Sequence, residues 1–250
     1  MNDSRTQDTS GGPPVKLVDG ENSPLAIAVD ENSVYWTASG LLKKVSIAGG
    51  SPVTLASNQP GAYGLAVDKA YVYWANYAGA SGAIMKVGIN GGNPTMLAPR
   101  NVQPAIAIDD TAVYYALLSP DAIMRVATAG GTPTTLVSGY AFIYGVTADP
   151  SRVYWTNYAN PGSIDSIAKI GGAVKRIADG GPALGVVAVD SKSAYWVTGI
   201  SVLTAPIDGG AAQTLASGDF VTIALALDGN SVYWATFTAS NNCSVMKLAK

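Results

Sequence analysis

Ser33-Val34-Tyr35-Trp36-Thr37 is the stretch that decides the fold, because it returns five times. The other copies are Val72-Tyr73-Trp74-Ala75, Val113-Tyr114-Tyr115-Ala116, Val153-Tyr154-Trp155-Thr156, Ala194-Tyr195-Trp196-Val197 and Val232-Tyr233-Trp234-Ala235. Their first tyrosines stand 38, 41, 40, 41 and 38 residues apart. A period near 40 marks a repeat architecture, in which each unit buries its apolar face only against its neighbours.

Each repeat carries four strand signals around that tyrosine. In the first repeat they cover residues 25–29, 34–37, 42–47 and 53–55. The runs are short, β-branched or aromatic, and bounded by Gly, Pro, Asn and Ser. No segment keeps a 3.6-residue apolar period, so essentially no helix is expected. An aspartate ends the first strand five residues before every tyrosine: Asp30, Asp68, Asp109, Asp149, Asp190 and Asp228. At a turn such a carboxylate accepts bonds from backbone N–H groups just after it, and its recurrence in all six repeats favours that role over a cation ring. A glycine pair joins strand three to strand four at 49–50, 91–92, 130–131, 171–172 and 209–210. Gly-Gly supplies the positive φ of a tight hairpin.

The sixth glycine pair is at the other end of the chain, as Gly11-Gly12. From first glycine to next aspartate is 19 residues in five repeats, this one included, and 18 in the sixth. The expected fold is therefore all-β: a six-bladed β-propeller of four-stranded antiparallel blades, with the N-terminal strand closing the last blade. Residues 13–18 are expected to pair with the strand containing Val245 to Leu248. Such closure removes exposed sheet edges. Residues 1–10 are polar and aperiodic and read as a tail, and residues 11–250 as one propeller domain. The Tyr-Trp stripe reads as core between blades.

The chain has 250 residues, 48% hydrophobic and 13% charged, which is enough for a large core and too apolar for disorder. A net charge of −2 without a basic run argues against nucleic acid. No apolar stretch reaches transmembrane length. There is no histidine, which excludes Ser-His-Asp and Cys-His chemistry and His-ligated metals. Cys243 is alone, so no internal disulfide forms. No cofactor and no metal are expected. Calcium wants six to eight oxygens, several from carboxylates, and the first strands offer almost none.

Leu65-Ala66-Val67-Asp68, then Tyr73-Trp74, then a Gly-Gly hairpin, resembles the YWTD β-propeller family over residues 11–250. The resemblance implies six blades, as in the extracellular part of lipoprotein receptors, and similar repeats occur in secreted bacterial proteins. It implies an extracytoplasmic protein whose leader is not in this chain, with the cytoplasm as the alternative. The family's aspartate after Tyr-Trp-Thr is absent. Asn76 and Asn157 stand there in two repeats, and Ala38, Leu117, Thr198 and Thr236 in the others.

Up-and-down topology places connections one-to-two and three-to-four on one face, the bottom, and the rest on the top. Bottom connections are nearly uniform. Top connections vary: from the Trp position to the first glycine is 13, 17, 15, 16 and 13 residues. Variable loops on a uniform scaffold are where function is added. The expected ligand contacts are Tyr63, Asn76, Arg100, Tyr144, Asn157 and Phe220. Aromatics desolvate an apolar body, amides set its orientation, and Arg100 suits an anionic group. The first functional reading is a monomeric binding module for a protein, peptide or glycan. The alternative is a lyase, cyclase or isomerase without histidine or metal, using Tyr144 with Asp179 or Asp219 and Arg100 as base, acid and anion clamp.

Overall fold

Short aromatic and β-branched runs between Gly-, Asn- and Asp-rich turns make strands throughout. A computed structural model describes residues 16–140, 142–159, 161–181, 185–218, 221–237 and 243–250. Blade one is β1 (Pro24–Val29), β2 (Ser33–Ala38), β3 (Leu41–Ser46) and β4 (Val53–Ala56). Blade two is β5 (Ala62–Val67), β6 (Tyr71–Asn76), β7 (Ala83–Gly88) and β8 (Thr95–Pro99). Blade three is β9 (Val102–Ile108), β10 (Ala112–Leu117), β11 (Ala122–Ala127) and β12 (Thr134–Ser138). Blade four is β13 (Ile143–Ala148), β14 (Arg152–Asn157), β15 (Gly162–Ala168) and β16 (Lys175–Gly181). Blade five is β17 (Val187–Val189), β18 (Ser193–Val197), β19 (Ser201–Pro206) and β20 (Gln213–Ser217). Blade six is β21 (Val221–Leu227), β22 (Ser231–Phe237) and β23 (Cys243–Ala249). Each sheet runs in sequence order and every pairing is antiparallel. The one helical element among the described residues is a three-residue 3-10 turn, Gly79–Ser81.

The fixed Asp-to-Tyr spacing has a direct cause. In all six blades the aspartate's Oδ1 accepts the backbone N–H groups two and three residues on, as Asp30 does from Asn32 and Ser33 at 2.8 and 2.7 Å. Oδ2 then accepts the hydroxyl of the repeat tyrosine, at 2.8 Å for Tyr35 and 2.6 Å for Tyr154. One carboxylate thus closes the one-to-two turn and satisfies a phenol that would otherwise be buried without a partner. Burial and the Asp30 bond together push the Tyr35 hydroxyl up to about 12.

The Tyr and Trp of each pair face opposite neighbours, as alternation along a strand requires. Tyr35 packs forward onto Val72, Trp74 and Val87 of blade two, together with Leu55 and Ala56 of its own outer strand. Trp74, Trp155 and Trp196 are fully buried, and Tyr115 fills the same slot in blade three. The stripe is core, as its repetition implied. Lysines tie the blades together on the bottom side. Lys44 and Lys86 donate to the next blade's Ile89 and Thr128 carbonyls, each at 2.6 Å. Lys169 and Lys250 reach back to the preceding blade's Asp109 and Asp190, at 2.6 and 2.8 Å.

The sixth blade differs from the other five. Inner strands pack on one another from β1 through β5, β9, β13 and β17 to β21, but no comparable contact joins β21 to β1. β23 is the last strand of a three-stranded sheet among the described residues. Of the segment expected to complete it, residues 13–15 lie outside the described residues, and residues 16–18 are not in a strand. No helix among the described residues is long and apolar enough to cross a membrane.

Candidate functional site

The top face is built by two repeated devices. Where the chain leaves strand two, the next backbone N–H donates to a carbonyl just before strand one: Tyr77 to Gly61 at 2.7 Å, Leu118 to Asn101 at 2.7 Å and Tyr158 to Phe142 at 2.8 Å. The accepting residue has positive φ each time, +64° for Gly61, +44° for Asn101 and +60° for Phe142. Just below, pairing on strand one shifts register between Pro24 and Ala26, Ala62 and Leu65, and Ile143 and Val146. Such bulges re-aim side chains at sheet ends.

Non-glycine residues with positive φ are Ser23, Ser39, Asn58, Arg100, Asn101, Ser119 and Phe142, and every one lies in a top connection. The bottom hairpins meet the same requirement with their glycine pairs. Strain of this kind persists only where surrounding structure imposes it, and it gathers at functional surfaces. Aromatic exposure has the same polarity. Of the six exposed aromatic side chains described, Tyr63, Tyr77, Phe142, Tyr144 and Tyr158 are on the top, and only Tyr71 is on the bottom. Phe142 and Tyr158 pack as a tilted pair with ring centroids 6.1 Å apart.

Tyr63 and Tyr144 occupy the same register position on the inner strands of blades two and four. Both are exposed, Tyr144 by half. Pro104 holds that position in blade three and Leu25 in blade one, so the described channel mouth presents no charge there. The inner strands of blades two and three nearly touch. A Cβ on Gly64 would lie 1.6 Å from the Pro104 carbonyl oxygen, so only glycine fits. Arg100 is exposed beside this mouth, its backbone N–H held by the Gly82 carbonyl at 2.6 Å. It is the one cation in the top loops among the described residues.

The remaining expected residues divide. Asn76 is buried and its amide is used inside the fold: it accepts the Trp74 indole N–H at 2.9 Å and donates to Gln59 at 2.9 Å. Asn157 is half-buried. It lies 3.5 Å from the Ser163 hydroxyl, and its Oδ1 has no partner. Phe220 lies outside the described residues. The acid–base pair of the enzyme alternative does not assemble. Asp179 is on β16, bound to Arg176 at 2.8 Å, with β14 and β15 between it and Tyr144 on β13. Asp219 lies outside the described residues.

Tyr77, Phe142 and Tyr158 were not among the expected contacts. Their signal was present in part, because Phe142 stands where blade two needs a glycine at positive φ. A cavity of 960 Å³ opens on the bottom between blades three and four. Its Asp109, Tyr114 and Lys169 are already bonded to one another, so it is a cleft between repeat turns with its polar groups spent. No group of three Cys, Asp or Glu side chains suited to a metal ion occurs among the described residues.

No family model matches the chain, and no curated protein matches it. Solved structures do. A nidogen–laminin complex superposes with a TM-score of 0.68 at 18% identity, over 87% of this chain and 89% of that one. A gluconolactonase from Xanthomonas campestris gives 0.68 at 15% identity, over 94% and 88%. TolB from Acinetobacter baumannii gives 0.59 at 14%, over 84% and 59%. At these identities the likeness concerns the backbone alone, and with the six sheets on the page it makes this chain a six-bladed β-propeller.

Proposed function

We propose that this propeller is a non-enzymatic interaction module that holds a protein or peptide ligand on its top face, around the channel mouth. The exposed aromatic rings carry this reading, because five of the six described lie on one face of a scaffold whose other face is uniform. Half-exposed tyrosines offer rigid apolar area at low entropic cost and a hydroxyl that orients a polar backbone. Arg100 adds a fork for a carboxylate. Similarity to the propeller of a nidogen–laminin complex favours a protein partner over a glycan. The gluconolactonase likeness weighs less, since its chemistry would need acidic or basic groups at a mouth that presents Leu25, Tyr63, Pro104 and Tyr144. The YWTD-like repeats support an extracytoplasmic setting and a monomer.

Labelled protein applied to peptide and glycan arrays tests the reading. A set of peptide hits should lose at least tenfold in affinity with Tyr63→Ala, Tyr144→Ala or Arg100→Ala, and keep it with the bottom changes Lys69→Ala and Lys192→Ala. Loss confined to the bottom variants would overturn it.

A further inference from the structure

In blades one to five the outer strand makes two sets of contacts. It pairs with strand three of its own blade, and it packs a short apolar run on the next blade. Leu55 and Ala56 do the second by sitting on Val72, Trp74 and Val87. Leu17 and Val18 sit in the same way on Val34, Trp36 and Val45 of blade one. Residues 16–18 therefore already hold the place of an outer strand, seen from blade one.

The other set of contacts is open. On β23, Val245 is 80% exposed and Met246 42%, whereas Ile84, which matches Val245 in blade two, is fully buried. Across the seam, Ile27 is 72% exposed and Val29 63%. Their counterparts Ile106 and Ile108 pack against the core around Tyr73 of the preceding blade. By the same rule Ile27 and Val29 belong against Tyr233. A cavity of about 600 Å³, lined by Leu17, Val18, Leu25, Ile27 and Trp36, lies at this seam. An exposed apolar edge strand is a pairing site.

We propose that residues 11–18 are the strand that fills this site, in a register the repeats specify. The residue cross-strand from the Trp position pairs outward in five blades as Lys43 with Thr54, Met85 with Met96, Met124 with Thr135, Asp165 with Arg176 and Leu203 with Thr214. One step earlier the partners are Leu42 with Ala56 and Ile84 with Ala98, so Leu55 and Leu97 are bulged out onto the next blade. Met246 is the residue opposite Trp234, and Val245 opposite Ala235. The same register sets Lys16 against Met246 and Val18 against Val245, with Leu17 as the bulged residue. Leu17 is already where that requires it. The chain's own segment is favoured over a second copy because Lys16 enters at the seam and the five other bulges carry Leu55, Leu97, Leu136, Ile177 and Leu215 in the same position.

Paired cysteines test this. Lys16→Cys with Met246→Cys, in a Cys243→Ser background, should form an intramolecular disulfide under mild oxidation and raise the thermal midpoint. Met85→Cys with Met96→Cys is the positive control. Lys16→Cys with Val245→Cys should stay reduced, since a one-residue slip faces the side chains apart. A 16–246 pair that stays reduced while 85–96 closes would overturn the proposal, and so would disulfide-linked dimers, which would put a second copy on the edge. Hydrogen exchange on the unmodified protein gives a second measure. Amides of residues 244–248 should be protected about as well as those of 84–87, and exchange at the unprotected rate would also overturn it.

Discussion

Phe142 holds φ at +60°, a conformation that costs a bulky residue about 1–3 kcal/mol. Its ring is still 46% exposed, so packing returns little of that cost. Phe142→Gly removes the strain and the ring together. Stability should stay within about 1 kcal/mol of the parent, because relief of strain and the entropy of glycine oppose each other. Peptide affinity should fall. A loss of more than about 3 kcal/mol by denaturant titration would instead make Phe142 a packing residue. Trp74 is the opposite case, with no exposed surface and its indole N–H held by Asn76. Trp74→Ala should cost about 3–5 kcal/mol. Tyr115→Trp should be tolerated, since the other blades accommodate an indole in that slot.

Blade four departs from its siblings at one position. Asp165 is 1% exposed and is the one charged side chain among the buried residues described. Met85, Met124, Leu203 and Met246 stand there in four other blades, and Lys43 in the first. Asp165 accepts from the Ser163 hydroxyl at 2.5 Å and from Arg176 Nε at 2.6 Å. A buried ion pair contributes little net stability, but stranding one partner is costly. Arg176→Thr alone should destabilise by about 2–3 kcal/mol, below the usual range because Arg176 is half exposed. Asp165→Met with Arg176→Thr, which copies the Met124 and Thr135 of blade three, should restore the parent midpoint or exceed it. A double variant no more stable than the single one would show that Asp165 is needed by the blade. The turn aspartates set the acid limit. Burial alone would raise the carboxyls of Asp30, Asp109, Asp149 and Asp190, but hydrogen bonds, from Lys169 for Asp109 and from Tyr154 for Asp149, outweigh it and hold them below the usual range. A lowered folded-state value means stability that is complete above the unfolded pKa and lost as pH falls through the folded one. The midpoint should therefore be flat from neutrality to about pH 4 and drop below it. Asp109→Asn should flatten part of that drop.

Over the whole molecule, the N-terminal segment decides how well the ring holds. Deleting residues 1–20 should lower the thermal midpoint sharply, while deleting 1–9 should change it little, and equal melting of the two would remove the segment from the fold. Strand order, blade number and the buried Tyr-Trp stripe were legible in the sequence, because each depends on a short period repeated six times and on turns that only Asp and Gly-Gly make well. The choice of face was legible too, from loop lengths. The occupants of the site were only partly so. Asn76 and Asn157 look alike in sequence, yet Asn76 is locked between Trp74 and Gln59 while Asn157 keeps an unpartnered oxygen. Asp179 lies within reach of Tyr144 in any list of top residues, and two strands separate them in the blade. Local pattern determines which residues turn, alternate and recur, since those depend on neighbours along the chain. Which side chains meet, which amides are already spent and whether the sixth blade is sealed are decided across blades, by contacts between residues far apart in sequence whose geometry no repeat of 40 residues contains.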